Sequence, residues 1–112
     1  MVKVDLSFEG ECRIWDYSAS HSRLVVLHLD GGGRVFAVMF AGVTRIELST
    51  HFRMSSPIVR PAKFNQLKFF PQPLVDGSLV VSDAVYESRP QVWGDDLDFF
   101  HTEYEWSELV RR

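Results

Sequence analysis

The stretch HLDGGGRVFAVMFAGVTRIEL, His28 to Leu48, decides the fold class. Apolar residues occupy both odd and even positions of RVFAVMFA, residues 34–41, which is typical of a strand covered on both faces. The centre of RLVVLHLD, residues 23–30, has the same character. Three glycines at 31–33 separate the two runs and supply the positive φ that a short hairpin turn requires. The sequence therefore predicts an antiparallel β-hairpin here.

The glycine run differs from a phosphate-binding loop in the residues that come after it. A Walker loop needs Gly-Lys-Ser or Gly-Lys-Thr leading into a helix, because the helix N-terminus and the lysine hold the anion. A dinucleotide-binding loop also needs a helix after its glycines. Here the glycines lead into Arg34-Val35-Phe36, which has the β-branched and aromatic composition of a strand. We therefore expect no anion to be bound by this turn.

The rest of the chain repeats the period of two that marks β-strands. Residues 2–8 and 44–48 alternate apolar with polar side chains and are predicted half-buried strands. Residues 51–62 contain two prolines and are predicted as a long connection with one short edge strand at most. Residues 63–70 are predicted as a strand, and residues 78–87 as one strand or a bulged pair. The fold class predicted is mainly β, an antiparallel meander of about eight to ten strands that forms a sandwich or a flattened barrel, with at most one short helix.

Length and composition fit a single domain, residues 1–112. Apolar residues make up 46% of the chain and aromatic residues 13%, so a core can form without disulfides. The single cysteine, Cys12, cannot form an internal disulfide and is interpreted as a small apolar filler. The sequence shows no signal peptide and no membrane segment, so the expected location is the cytoplasm.

The chemistry-bearing residues form no recognisable catalytic or metal-binding motif. The histidines lack HxH or HExxH spacing and predict no metal site. His28 lies in an apolar strand and is expected to be a hydrogen-bonded interior residue. Neither Cys12 nor the serines around His21 have the signature of a nucleophile, and the GxSxG elbow is absent. We therefore expect no catalytic residue, no cofactor and no enzymatic activity.

Charge is distributed unevenly along the chain, although the net charge is only −3. Residues 45–68 contain one acid and the five bases Arg45, Arg53, Arg60, Lys63 and Lys68, whereas six acids fall within residues 95–108. Either the two segments face each other or are solvated, or one of them marks a partner surface. Nucleic-acid binding needs a basic stripe with exposed aromatics, and residues 52–70 match it weakly on an acidic chain. The sequence therefore argues against a nucleic-acid partner.

The segment VWGDDLDFFHTEYEW, residues 92–106, combines acids with aromatic residues. Charge complementarity speeds encounter with a basic partner, and aromatic anchors supply affinity. The sequence therefore predicts a non-enzymatic protein-binding module whose partner-binding residues are Trp93, Asp95, Asp96, Asp98, Glu103 and Glu105. The alternative is a small-ligand-binding barrel or sandwich whose aromatic-lined pocket is formed by Trp15, Tyr17, Phe36 and Tyr104.

Two pairs of adjacent aromatic residues, Phe69-Phe70 and Phe99-Phe100, predict that both faces of their strands need cover. Large exposed apolar patches usually mark interfaces between chains. We therefore hypothesise a homodimer that buries one of these faces.

A resemblance enters at residues 14–48. IWDYSASHSRLVVLHL, followed by a hairpin and VMFAGVTRIELS, resembles a group of small bacterial β proteins. Their pattern F-x-G-V-x-x-I-x-L is matched here by Phe40, Gly42, Val43, Ile46 and Leu48. Some of these proteins are grouped with the immunity proteins of polymorphic toxin systems, and many have no known function. The resemblance implies a bacterial β protein similar to a toxin-neutralising immunity protein, and it carries over no site residue. Together with the acidic segment 92–106, it makes a basic toxin domain the candidate partner.

Overall fold

The computed structural model describes residues 2–30, 32–75, 77–88, 91–92 and 106–111, and within them the chain is mainly β, as predicted. The strands are β1 (Val2–Lys3), β2 (Gly10–Ser18), β3 (Arg23–Leu29), β4 (Arg34–Ala41), β5 (Arg45–Glu47), β6 (His51–Met54), β7 (Ile58–Pro61), β8 (Leu67–Phe70), β9 (Leu79–Ser82), β10 (Ala84–Ser88), β11 (Gln91–Val92) and β12 (Trp106–Arg111). One short turn, Lys63–Asn65, joins β7 to β8.

The strands form two antiparallel sheets packed as a sandwich. The first sheet has the order β1-β7-β8-β9-β5, and the second has the order β12-β10-β4-β3-β2-β6, with β11 also paired to β4. Each sheet contains one meander, β7-β8-β9 in the first and β2-β3-β4 in the second. The β4–β5 and β9–β10 connections pass from one sheet to the other, and both matter for the site described below.

The main core lies between the two sheets. The phenyl rings of Phe40 and Phe69 meet edge to face across it, with 5.0 Å between their centroids. A second buried cluster lies on the opposite face of β3 and β4 and consists of Val25, Leu27, Val35, Ala37 and Met39, with Tyr86 and Trp106 packed against it. The prediction that residues 34–41 are covered on both faces is therefore confirmed.

Gly32 and Gly33 lie in the turn of the β3–β4 hairpin, as predicted, and Gly31 lies outside the described residues. The Asp30 carboxylate closes it, because its Oδ1 accepts hydrogen bonds from the backbone N–H groups of Gly32 and Arg34, both at 2.9 Å. The bond from Arg34 is the largest of the effects that lower the pKa of Asp30. Gly33 has a φ of 78°, a conformation that glycine adopts without steric cost.

The first predicted strand, residues 2–8, is wrong in its extent, since only β1 is paired. The N–H of Val4 donates to the carbonyl of Pro57 at 3.0 Å. Proline has no N–H with which to continue the ladder, so strand pairing ends here. The predicted alternation of burial persists without pairing, because Val4 and Phe8 are both buried in the main core.

Three later predictions also need correction. Residues 51–62 form two strands, β6 and β7, one in each sheet. Pro57 immediately precedes β7 and Pro61 is its last residue, so neither proline interrupts a strand. Residues 63–66 form a turn before β8, so the strand predicted over 63–70 begins later. The region 78–87 forms two strands that lie in different sheets.

Candidate anion-binding cleft

Two connections between the sheets lie side by side at one corner of the sandwich. β4 continues into β5, and β9 continues into β10 through the single residue Asp83. Ala41 is paired with Ala84 in the second sheet, and Arg45 is paired with Val81 in the first. Both strands therefore leave one sheet and enter the other at the same place, which forms a bent two-stranded ribbon.

The side chain of Gln66 holds this corner together. It is only 8% exposed and reaches the corner from the turn that follows β7. Its Nε2 donates to the carbonyl of Gly42 at 2.9 Å and to Asp83 Oδ1 at 3.1 Å. Its Oε1 accepts a hydrogen bond from Thr44 Oγ1 at 2.7 Å. Both amide hydrogens are thus used, and the β7–β8 turn is fixed relative to the corner.

Gly42 occupies the tightest point of the corner. Its φ is 68°, and a Cβ atom added there would overlap Asp83 Oδ2 and lie 2.6 Å from Asp83 Cγ. Only glycine satisfies both conditions, because it tolerates positive φ and leaves the carboxylate its space. The neighbouring residues of the sequence motif, Phe40 and Val43, are core residues. The motif therefore encodes the packing of the corner.

The turn between β7 and β8 exposes an aromatic ring. Phe64 and Asn65 have φ values of 59° and 60°, and Gln66 N donates to the carbonyl of Lys63. Two successive residues of positive φ closed by this bond have the geometry of a type I′ turn, which favours Asn and Gly. Asn65 fits that preference, whereas a bulky residue such as Phe64 is an outlier. The Phe64 side chain is also 92% exposed.

A cleft of about 790 Å³ opens between this turn and the corner. Its walls include three basic side chains, from Arg45, Lys63 and Lys68, and one acidic side chain, from Asp83. The other lining residues are Thr44, Ala62, Phe64, Gln66 and Val81. Positive charge thus exceeds negative charge in a concave site, and such a site attracts anions.

The basic residues of the cleft belong to a longer row across the first sheet. Arg60 lies opposite Lys68, Lys68 opposite Val81, and Val81 opposite Arg45. Directly opposed residues of antiparallel strands share a face, so Arg60, Lys68 and Arg45 lie on one side of the sheet. Phe69, the neighbour of Lys68, points into the main core, so this side faces outward. We call these three residues the basic row.

The cations of this surface differ in how they are compensated. Arg45 forms an ion pair with Glu47 at 2.8 Å, and both side chains are about half exposed. Arg60 lies over the ring of Phe70, with 5.7 Å from its guanidinium carbon to the ring centroid. Within the described part of the chain, Lys63 and Lys68 form no ion pair. These two ammonium groups are therefore available to a ligand.

The predicted partner-binding residues cannot be compared with the cleft. Trp93, Asp95, Asp96, Asp98, Glu103 and Glu105 all lie outside the described residues, as do Tyr104 and the pair Phe99-Phe100. The predictions that rest on them therefore stay predictions.

The remaining residues of the predicted aromatic pocket lie apart from the cleft. The ring of Trp15 contacts the guanidinium group of Arg13, which lies 5.1 Å from the ring centroid. Tyr17 is 47% exposed near the end of β2. Phe36 packs against the rings of Phe8 and His28. None of these three lines the cleft at Gln66.

His28 and Cys12, two side chains that could carry chemistry, both pack within the fold and lie outside the cleft. His28 stacks on Phe8 and donates from Nδ1 to the carbonyl of Glu11 at 2.8 Å, which confirms the expected hydrogen bond. The side chain is half-buried, so the prediction of an interior position is wrong. Cys12 is 3% exposed. Burial, with a smaller effect from the nearby Glu11 carboxylate, raises the pKa of its thiol to about 12. The thiol is therefore protonated at neutral pH and is a poor nucleophile.

Comparisons with known proteins gave no matching family model, no matching curated protein and no matching solved structure. In the described ranges, no helix is long and apolar enough to cross a membrane. Among the same residues, no group of three or more His, Cys, Asp or Glu side chains is placed to hold a metal ion.

Sequence reasoning did not assemble the cleft, although one signal for it was present. The basic segment 45–68 supplies every cation of the cleft and of the basic row. Arg53, the remaining base of that segment, is in β6 of the second sheet and pairs with Glu11 at 3.3 Å. Which bases converge therefore depends on strand order, and strand order is not visible in composition.

Proposed function

We propose that this protein is a non-enzymatic binding module and that the cleft beside Gln66 receives an anionic group of its partner. The observation that carries the proposal is the position of Lys63 and Lys68. Both line the cleft, and neither forms an ion pair with another described residue. Two like charges held at one concave site repel each other, and a bound anion removes that repulsion.

The floor of the cleft supports a role in binding. Gln66 donates both amide hydrogens, to Gly42 and Asp83, and so keeps the walls in place without a ligand. A preformed site loses less conformational entropy when it binds. The protonated state of the Cys12 thiol is also in keeping with a module that performs no nucleophilic chemistry.

Retention on immobilised heparin tests this proposal. The wild-type protein is acidic overall, so retention at low salt requires a local basic site. We expect the wild type to be retained, and the double variant K63Q/K68Q to pass through the column. The single variants K68Q and R53Q remove the same charge from different places, and Arg53 is not part of the cleft. K68Q should elute at lower salt than the wild type, and R53Q should elute with it.

Two outcomes would overturn the proposal. A wild-type protein that is not retained at low salt would leave the cleft without anion affinity. Equal losses for K68Q and R53Q would show that retention follows overall charge and not the cleft.

A second proposal is that residues 92–106 present an acidic, aromatic surface to a basic partner, as an immunity-type inhibitor does. Its support is the composition of the segment, which carries five acids and five aromatic residues of the Phe, Tyr and Trp types. The two proposals are compatible, because one concerns the first sheet and its corner and the other a different part of the chain.

Of the two aromatic pairs behind the homodimer hypothesis, only Phe69-Phe70 lies within the described residues. Phe69 is buried in the main core, and Phe70, on the opposite face, is half-buried beneath Arg60. Both faces of β8 at this aromatic pair are therefore at least partly covered by other residues of the same chain. We keep the dimer as a proposal, which sedimentation at high protein concentration tests directly: a single monomeric species would exclude it.

A further inference from the structure

We propose that the anionic partner of the cleft is single-stranded nucleic acid, with one base stacked on Phe64 and the phosphates held by Lys63 and the basic row. This inference rests on the proposed function, because it names the chemistry of the anion. The observations behind it are an exposed ring, an unused acceptor and the length of the basic row.

The exposed ring is Phe64, at the edge of the cleft. Its backbone is held in the left-handed region, and its side chain is 92% exposed. Both features oppose folding, since a bulky residue is strained at positive φ and an exposed ring gives up burial. Strain and exposure at one residue beside a basic cleft point to a use in binding. Aromatic rings beside basic grooves are the platforms on which unpaired bases stack.

The unused acceptor is the second carboxylate oxygen of Asp83. Oδ1 accepts a hydrogen bond from Gln66, and no described residue donates to Oδ2. A ligand that carries only negative charge would be repelled by this carboxylate. A nucleotide carries phosphate for the lysines together with N–H donors on its base, so it matches both signs of the cleft.

The length of the basic row favours a strand over a free nucleotide. Arg60 and Arg45 are separated by three strand spacings, roughly 14 Å between their backbones. Successive phosphates of a chain can contact basic residues along the whole row, whereas a single phosphate would require both long side chains to converge on one point. Stacking on Phe64 also requires a base that is free of its partner strand, which a duplex does not offer.

The net charge of −3, which argued against nucleic acid in the sequence, does not describe this surface. Four bases, Arg45, Arg60, Lys63 and Lys68, lie in the cleft or in its row, together with the acids Glu47 and Asp83. Fields act over about 8–10 Å at physiological salt, so local charge governs a contact more than the sum over the chain.

Fluorescence anisotropy with a labelled 12-nucleotide oligo(dC) tests the inference. Cytosine carries an exocyclic amino group that can donate to Asp83. We expect saturable binding that Phe64→Ala weakens about 5- to 150-fold, the range for one stacked base. Leu74→Ala is the matched control, because Leu74 is 95% exposed in the β8–β9 connection and does not line the cleft. It should bind like the wild type.

A second variant separates binding from folding. Phe64→Gly relieves the strain of the left-handed backbone, so it should keep or raise the melting temperature. It should weaken the binding of oligo(dC) as strongly as Phe64→Ala does. K68Q should reduce the slope of log K against log salt by about 0.7, the value for one phosphate contact on a single strand. R53Q should leave that slope unchanged.

The other ligands decide between sources of the anion. A duplex of the same length, cytidine monophosphate or a 12-residue poly-glutamate peptide that binds as tightly as oligo(dC) would overturn the inference. It would also be overturned if Phe64→Ala and Phe64→Gly bound oligo(dC) as the wild type does. Poly-glutamate binding without oligo(dC) binding would leave the proposed function standing, whereas absence of both, with no retention on heparin, would remove both proposals.

Discussion

The amide nitrogen of Gln66 and the carboxylate of Asp83 are joined by a hydrogen bond of 3.1 Å across the corner where two strands change sheets. Gln66 comes from the β7–β8 turn, and Asp83 is the one residue between β9 and β10. The bond therefore links the wall of the cleft that carries Lys63 to the ribbon that carries Thr44. Loss of this link is expected to affect both the stability of the corner and the shape of the cleft.

Gln66→Met tests that link. Methionine conserves the approximate shape of the side chain but removes all three of its hydrogen bonds, each of which contributes about 0.5–1.5 kcal/mol net. We expect the free energy of unfolding to fall by about 2 kcal/mol in urea denaturation. Gln72→Met, in the β8–β9 connection, is the control and should stay within about 0.5 kcal/mol of the wild type. Equal stability of the two variants would mean that the corner does not depend on Gln66.

Gly42→Ala tests the close approach at the corner. Gly33→Ala is its matched control, because Gly33 also has positive φ but has no atom within 4 Å of an added Cβ. The control should lose about 1 kcal/mol from backbone strain alone. Gly42→Ala should lose about 3 kcal/mol, since its Cβ also meets Asp83. Asp83→Ala in the same chain should restore part of that loss, and an absence of rescue would contradict the predicted clash.

The Cys12 thiol predicts a dependence of stability on pH. Burial raises its pKa from 9.0 to about 12 in the folded protein, so unfolding is accompanied by ionisation at high pH. Its stabilising contribution is therefore complete below pH 9 and is lost as the pH rises from 9 towards 12, by at most about 1.4 kcal/mol per pH unit.

Urea denaturation of the wild type and of Cys12→Ala, each at about pH 8 and about pH 10.5, measures this contribution on either side of the thiol's ordinary pKa. The difference in unfolding free energy between the two proteins should shrink at the higher pH. Iodoacetamide should modify the native thiol far more slowly than the unfolded one. Rapid alkylation under native conditions would refute the buried, protonated state.

The triple variant D95N/D96N/D98N tests the acidic surface predicted for residues 92–106. If these acids meet a basic partner, retention on immobilised poly-lysine should fall, and the effect should shrink as salt is added. The free energy of unfolding should change by no more than about 0.5 kcal/mol. A clear loss of stability with unchanged retention would indicate instead that the acids serve the fold.

The sequence specified the parts of the fold that depend on local chemistry. The β3–β4 hairpin follows from two apolar runs and a glycine turn, and its closing residue, Asp30, lies within the same segment. The region 78–87 was harder, because apolar residues continue on both sides of Asp83 while the chain changes sheet there. Alternation reports which side of a strand is buried but not which sheet the strand joins.

The cleft could not be predicted from the sequence, for a similar reason. Its walls come from three separate segments, at 44–45, 62–68 and 81–83. The basic row exists only because the registers of β7, β8, β9 and β5 place Arg60, Lys68 and Arg45 opposite one another. The strained backbone at Phe64 was hidden as well. The sequence predicted residues 63–70 as a strand, and in a strand Phe64 would have an ordinary negative φ. Only the density of basic residues in 45–68 indicated the cleft in advance.

Titration of the ¹⁵N-labelled protein with inorganic pyrophosphate, followed by amide chemical shifts, tests the central claim most directly. If the cleft binds anions, saturable shifts should concentrate at Thr44, Arg45, Lys63, Phe64 and Lys68, and K63Q/K68Q should lose them. Shifts of similar size at Arg53 and Arg23, which lie in the second sheet, or no saturable shift at the cleft, would contradict the claim.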